Sequence, residues 1–214
     1  MVTVKSAACG LAYYLARELN FDRKDAETIR YGMEIIFGAL IKGMIIIGIS
    51  WWLHITPYVL AAVITSGSFR LLAGGVHCHT YGRCLVLGST VAVFIGSLAP
   101  VIGYRLNPNF LLSSVVLAAL IGLGFVHKWA PADTPAKPVT REEKRKKFKK
   151  LSFLYVITWT VIMFVFILLG RQIPSIIPLA MASLGGFLFQ TFSLCPAGYR
   201  LVGTVDTLLG KILP

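Results

Sequence analysis

The sequence predicts an all-α integral membrane protein of about six transmembrane helices, with amphipathic interfacial helices at its N-terminus. Three observations predict it. Hydrophobic residues make up 56% of the 214 and charged residues 14%, with a mean hydropathy of +0.75. Soluble domains hold about 45–50% apolar and about 25% charged residues, so this is the composition of a chain in lipid. Six segments approach the roughly 20 apolar residues that cross a bilayer, and basic residues crowd alternate connections between them.

Residues 1–33 come first. Leu11, Leu15 and Leu19 recur at a spacing of four, with Arg17 and Glu18 off that stripe, which suits a helix lying on the membrane surface. No uninterrupted apolar core of signal-peptide type precedes the charges, so this stretch reads as part of the mature chain. Asn20 or Asp22 is placed to cap a second helix that runs on into the first span. The spans are expected at about 35–53, 55–73, 85–104, 110–127, 151–169 and 173–194, the first two forming a tight hairpin around His54–Pro57. The stretch 128–150 is the long polar connection: it opens with Pro131, Pro135 and Pro138 and closes on the basic TREEKRKKFKK. Residues 151–214 then hold the last two spans and a C-terminal tail. No internal repeat is found, and a single membrane-embedded domain accounts for the whole.

With the N-terminus inside, the inner segments carry 18 of the 21 lysines and arginines, nine of them between Lys128 and Lys150. The outer segments carry Arg105 and Arg171, and Lys42 lies within the first span. That asymmetry predicts both termini, and the connection carrying Arg70 and Arg83, on the cytoplasmic side. Free thiols persist there, and four scattered cysteines (Cys9, Cys78, Cys84, Cys195) do not make a disulfide framework. A net charge of +12 in so apolar a chain speaks for anionic lipid headgroups rather than nucleic acid.

The chemistry concentrates in FRLLAGGVHCHTYGRC, residues 69–84. A cysteine attacks as thiolate, and an imidazole within hydrogen-bonding reach takes its proton. The segment offers two thiols, Cys78 and Cys84, and two imidazoles, His77 and His79. On one straight helix, His77 and Cys84 share a face but lie about 10 Å apart along the axis. Pairing them needs a turn, and Thr80-Tyr81-Gly82 offers residues for one. Gly74-Gly75 breaks the second span or lets a substrate backbone come close. The bland readings stay open beside this. The thiols serve as small apolar residues, the arginines and histidines as border anchors, or His77, Cys78, His79 and Cys84 as metal ligands, in a spacing that matches no common zinc pattern.

The string R-L-L-A-G-G-V-H-C-H-T-Y-G-R-C resembles the signature of the accessory gene regulator B (AgrB) family, membrane cysteine endopeptidases that process quorum-sensing propeptides. The family pattern (Arg, three residues, Gly-Gly, one residue, His, six residues, Cys) falls on Arg70, Gly74, Gly75, His77 and Cys84. Length, several spans and a basic cytosolic loop extend the likeness over nearly the whole chain. The resemblance implies a single membrane-embedded peptidase domain with Cys84 as nucleophile and His77 as general base, and it reduces Cys78 and His79 to neighbours. It implies cleavage of the C-terminal part of an AgrD-like propeptide through a Cys84 thioester. Attack by the propeptide's own Cys or Ser then closes a thiolactone or lactone ring. The partner so implied is a short amphipathic propeptide with an acidic tail. No cofactor or metal is called for.

Other residues are marked by their place. Arg70 is a border anchor or holds a carboxylate or an acyl oxygen. Glu34, at the start of the first span, also resembles the family, and is open to pairing with Arg70, orienting His77 or lying plainly at the interface. Lys42 sits about 10 Å or more inside the first span, farther than a lysine comfortably snorkels. Gln190 has hydrogen bonds to offer from the sixth span, and Cys195 before Pro196 reads as structural. The run 144–150 sets topology, contacts headgroups, or attracts an acidic peptide tail. The rival function is a small transporter or peptide exporter with incidental thiols. A homodimer is compatible with so small a membrane enzyme, though no residue specifies one.

Overall fold

The computed structural model describes residues 4–19, 22–132 and 141–212, and contacts divide the chain into two compact units, Met1–Ile49 and Ser50–Pro214. Eight helices are described: α1 (Val4–Glu18), α2 (Arg23–Trp52), α3 (Thr56–Ala73), α4 (Tyr81–Gly103), α5 (Pro108–Trp129), α6 (Glu142–Gly170), α7 (Ile176–Phe192) and α8 (Pro196–Ile212). Five of them, α2 to α6, are long and apolar enough to cross a membrane, and α7 with α8 makes a sixth if that bent pair is one span. The chain is thus an all-α, multi-pass membrane protein.

In the first unit, α1 folds back on α2, and Tyr13 donates to Glu27 across the pair at 3.0 Å. Asp22 caps α2, its Oδ1 accepting from Asp25 N at 2.7 Å; the alternative cap, Asn20, lies outside the described residues. α1 buries Ala12 and Ala16, whereas Leu11 and Leu19 stay exposed. The small residues are covered, Leu15 is half-buried, and the two flanking leucines of the stripe lie on the open face.

The second unit is built around α3 and α7. Small residues let these helices approach closely: Gly186 lies so near the Ala62 carbonyl that a Cβ would overlap it, and Ala62, Ala99 and Ala182 form a buried cluster. The main core gathers α3, α5, α6 and α7. At its centre four rings stack within 9° of parallel: Tyr155 on Phe69 (5.0 Å), Phe69 on Phe187 (5.2 Å) and Phe187 on Trp159 (3.9 Å). Phe69 precedes Arg70, so this stack fixes the end of α3 that carries the motif. Phe187→Ala is expected to lower stability by about 3–5 kcal/mol. Phe94→Ala, at an exposed position, should stay within about 0.5 kcal/mol. Denaturation of the detergent-solubilised protein checks both.

Three boundaries differ from the sequence expectation. α6 begins at Glu142, so the basic run 144–150 is helical rather than loop; residues 133–140 are outside the described set. Its Lys, Glu and Arg are good helix formers, Glu142 and Glu143 favour the first turn, and Lys146 pairs with Glu142 at 2.8 Å. α4 begins at Tyr81, with Thr80 as its cap, so Tyr81 and Gly82 belong to the helix and the non-helical turn is 74–80. The helix in the place of the last expected span ends at Phe192, and what read as a tail is a further helix, α8, turned 92° from α7. Pro196 opens α8, where its missing N–H and fixed φ are tolerated.

Candidate active site

The site is assembled where α3, α5 and α7 end and α4 begins. Gly74 closes α3, its N–H donating to Arg70 O at 2.9 Å, and then φ turns positive: +75° at Gly74 and +135° at Gly75. Glycine tolerates these values, and the surroundings also demand it. A Cβ on Gly74 would overlap the Ala132 carbonyl, and one on Gly75 would come 2.5 Å from Ser193 Oγ.

The loop after the glycines is held by its backbone. Ala73 O accepts from Ala132 N at 2.8 Å, Gly74 O accepts from Gln190 Nε2 at 2.7 Å, and Val76 N donates to Ser193 O at 3.2 Å. The Arg70 guanidinium donates to Val76 O and, at 3.4 Å, to Gln190 Oε1. Arg70 and Gln190 therefore join two helix ends to one loop, and each satisfies a group the other leaves open.

His77 is exposed on this loop. Thr80 Oγ1 accepts from Arg83 N at 3.5 Å, and Cys84 N makes the first helical bond, to Thr80 O at 3.1 Å. Cys84 is a half-buried free thiol in the first turn of α4, the end at which unpaired N–H groups favour negative charge. The Arg70 guanidinium lies within electrostatic reach of Cys84, Tyr199 and Cys78. Cys78 is differently placed: burial, then the neighbouring Cys84 and Asp206, push its thiol up to about 11. It stays protonated at neutral pH, when a thiol is a poor nucleophile.

Asp206, from α8, was not singled out in the sequence. Its Oδ2 meets His79 Nδ1 at 2.5 Å and His79 N at 3.3 Å, and its Oδ1 faces Arg83 Nη1 at 3.9 Å. The bond from His79, with Arg83 beside it, holds this carboxyl below the usual carboxylate range. The available signal was spacing: Gly198, Val202 and Asp206, four apart, form the buried face of α8. Ser193 and Ala132 were missed as well, because they act through backbone atoms, which carry no residue signature.

Arg70, Gly74, Gly75, His77, Cys84 and Gln190 thus all lie at one end of the second unit's bundle. Glu34 and Lys42 belong to α2 of the first unit, where Glu34 accepts from Arg30 at 3.3 Å and Lys42 is half-buried. Cys195 is buried and its thiol donates to Phe192 O at 3.2 Å, a local contact. Among the described residues, no group of three or more His, Cys, Asp and Glu side chains is disposed to hold a metal ion.

These features define a polytopic helical membrane protein with a thiol- and imidazole-bearing turn at one end of its bundle. Comparison with known proteins narrows that class. The family described as Accessory gene regulator B matches residues 8–194, and the chain belongs to it. Membership gives it a role in the agr quorum-sensing system. Among its relatives, an AgrB-like protein of Clostridium perfringens strain SM101 is 27% identical over 93% of this chain and 94% of its own. AgrB-like protein 2 of C. perfringens strain 13 is 25% identical over 95% and 96%. Accessory gene regulator protein B of Staphylococcus aureus strain Newman is 27% identical over 86% and 89%. No solved structure matches the chain.

Proposed function

We propose that the chain is a membrane cysteine endopeptidase that cleaves and cyclises an AgrD-like autoinducer propeptide. The observation that carries this reading is the break in the helix. α3 stops at Ala73, residues 74–80 are not helical, and α4 starts at Tyr81. His77 and Cys84 are thereby released from the straight-helix geometry that would hold them about 10 Å apart.

In this reading Cys84 Sγ attacks a peptide carbonyl while His77 takes the thiol proton. The C–N bond breaks, His77 passes the proton to the leaving amine, and the acidic C-terminal fragment departs. The acyl group remains on Cys84 as a thioester. The propeptide's internal Cys then gives its proton to His77 and attacks the same carbonyl, Cys84 leaves as thiolate and recovers a proton from His77, and a thiolactone ring closes; an internal Ser gives a lactone. Exchange of one thioester for another is nearly isoenergetic, so excluding water conserves the bond. Arg70, within electrostatic reach of Cys84, is the candidate to attract a carboxylate or an acyl oxygen, and Gly74-Gly75 shape the loop that carries His77 rather than leaving room for substrate. Glu34 and Lys42 are supporting candidates from the first unit. The basic start of α6 draws the acidic tail. The charge asymmetry supports a cytoplasmic site and cytoplasmic termini.

The test is co-expression with a neighbouring open reading frame of about 40–60 codons, encoding an amphipathic start, an internal Cys and an acidic tail. Mass spectrometry should find the released tail, with a ring product lighter by one water than the linear acid of the same residues. Intact propeptide beside abundant wild-type protein would reject this function and favour the exporter.

A further inference from the structure

We propose that Asp206 is a positioning residue of this site, its carboxylate fastening the C-terminal helix α8 to the junction from which Cys84 is presented. The proposal rests on the peptidase reading for its consequence and on geometry for its substance.

The junction spans residues 79–84, and α8 grips it at both ends. At the loop end, one carboxylate oxygen takes both the backbone N–H and the ring Nδ1 of His79, at 3.3 and 2.5 Å. At the helix end, the other oxygen faces Arg83, whose guanidinium also lies about 3.0 Å from where a Cβ on Gly210 would stand. Arg83 therefore rests on α8 one turn beyond Asp206. Thr80, between these two anchors, is the cap of α4, and Cys84 follows Arg83 directly.

Burial makes the grip specific. The Asp206 side chain is 3% exposed and the His79 side chain 85%. A carboxylate placed inside a protein is costly unless paired, and His79 and Arg83 are the partners it is given. The exposed ring adds nothing to the core, so its ordering comes from Asp206. Cys78 lies against the same carboxylate and against Cys84, which puts Asp206 one residue layer from the thiol. The family match ends at residue 194, so α8 and Asp206 lie beyond the matched residues.

Without the carboxylate, the junction loses its anchor at His79 N–H and the first turn of α4 frays. A nucleophile misplaced by about 1 Å costs on the order of 100-fold in rate. On the peptidase reading Asp206 acts on the position of Cys84 and makes no contact of its own with the peptide, so affinity for substrate is retained.

The test uses the full chain in lipid nanodiscs with the propeptide from the neighbouring reading frame. Asp206→Ala should lower kcat by about 10- to 100-fold with KM within about twofold. It should also speed amide exchange at residues 78–82 at least about tenfold, while α3 and α7 exchange as in the wild type. Asp206→Glu should restore part of both. His79→Ala should cause a smaller loss that vanishes in the Asp206→Ala background, because the two changes break one interaction. Wild-type exchange and kcat in Asp206→Ala would overturn the proposal. So would faster exchange spread over α3 and α7, which marks general destabilisation. If Asp206→Ala fails to accumulate, His79→Ala and Arg83→Ala decide: local exchange at the wild-type rate in both overturns it. Absence of cleavage by the wild-type chain would instead sink the peptidase reading, and the exchange result would stand apart from it.

Discussion

Replacing Cys84 with alanine is expected to reduce propeptide cleavage by about 1,000-fold or more, the loss typical when a covalent nucleophile is removed. Intact propeptide should accumulate, and no ring product should form. His77→Ala should come close to the same loss, because the two residues act as a unit and removing either disables the step. Cys78→Ala should retain most of the activity, since a thiol pushed up to about 11 is not the one that attacks at neutral pH. A propeptide lacking its internal Cys should strand the acyl group on Cys84, visible as an added mass that hydroxylamine removes. His79 is the informative comparison. Asp206 orients its ring, as a carboxylate orients a catalytic histidine, so a complete loss in His79→Ala with activity left in His77→Ala would exchange the roles of the two imidazoles. Cleavage surviving in Cys84→Ala would end the mechanism.

The second large effect is expected at Gly74. At φ +75°, ψ −149° this residue occupies a region that is essentially glycine's own. An alanine there costs about 1–3 kcal/mol from backbone strain, and its Cβ would also collide with the Ala132 carbonyl. Relief requires 132 to move, which breaks the Ala132 N–Ala73 O bond and loosens the loop that carries His77. Gly74→Ala should therefore lower the thermal midpoint of the purified protein and cut cleavage about 10- to 100-fold. Gly82→Ala is the matched control: Gly82 is helical, with open space around its Cα. The same added methyl should stabilise α4 by up to about 1 kcal/mol and leave cleavage intact. Equal behaviour of the two variants would contradict this account of the turn.

Much of the molecule could be read before folding it, and the reasons are local. Spans α2 to α6 announce themselves because lipid demands a continuous apolar run, a constraint written residue by residue. The break at Gly74-Gly75 is equally local, since it reflects what one residue's backbone can adopt. Arg70 and Gln190 stood out as polar groups in apolar runs. α8 did not, because 17 residues carrying Arg200, Asp206 and Lys211 look like a tail until something covers one face. Asp206 in particular gains its meaning from His79 and Arg83, far away along the chain. Thr80 was expected within a turn and proved to be a cap, a difference of a residue or two that propensity does not resolve. The Leu11–Leu15–Leu19 stripe shows the opposite limit. Its spacing is regular, yet Ala12 and Ala16 are the residues covered, while Leu11 and Leu19 stay exposed, because a leucine stripe does not say which face a neighbour will cover.

The length of α7 carries one more consequence. Seventeen residues rise about 25 Å, against a hydrocarbon layer about 30 Å thick, and the chain then turns aside through 92°. Neighbouring helices bury ten of the seventeen residues, so α7 meets protein rather than lipid over most of its surface, and its turn at Ser193 leaves the motif loop at the end of the bundle. On the peptidase reading, an amphipathic peptide resting on the bilayer is already in the layer from which that end is reached. It finds the thiol by lateral diffusion within a plane, and its two-dimensional density, rather than its concentration in the surrounding water, sets how often the two meet.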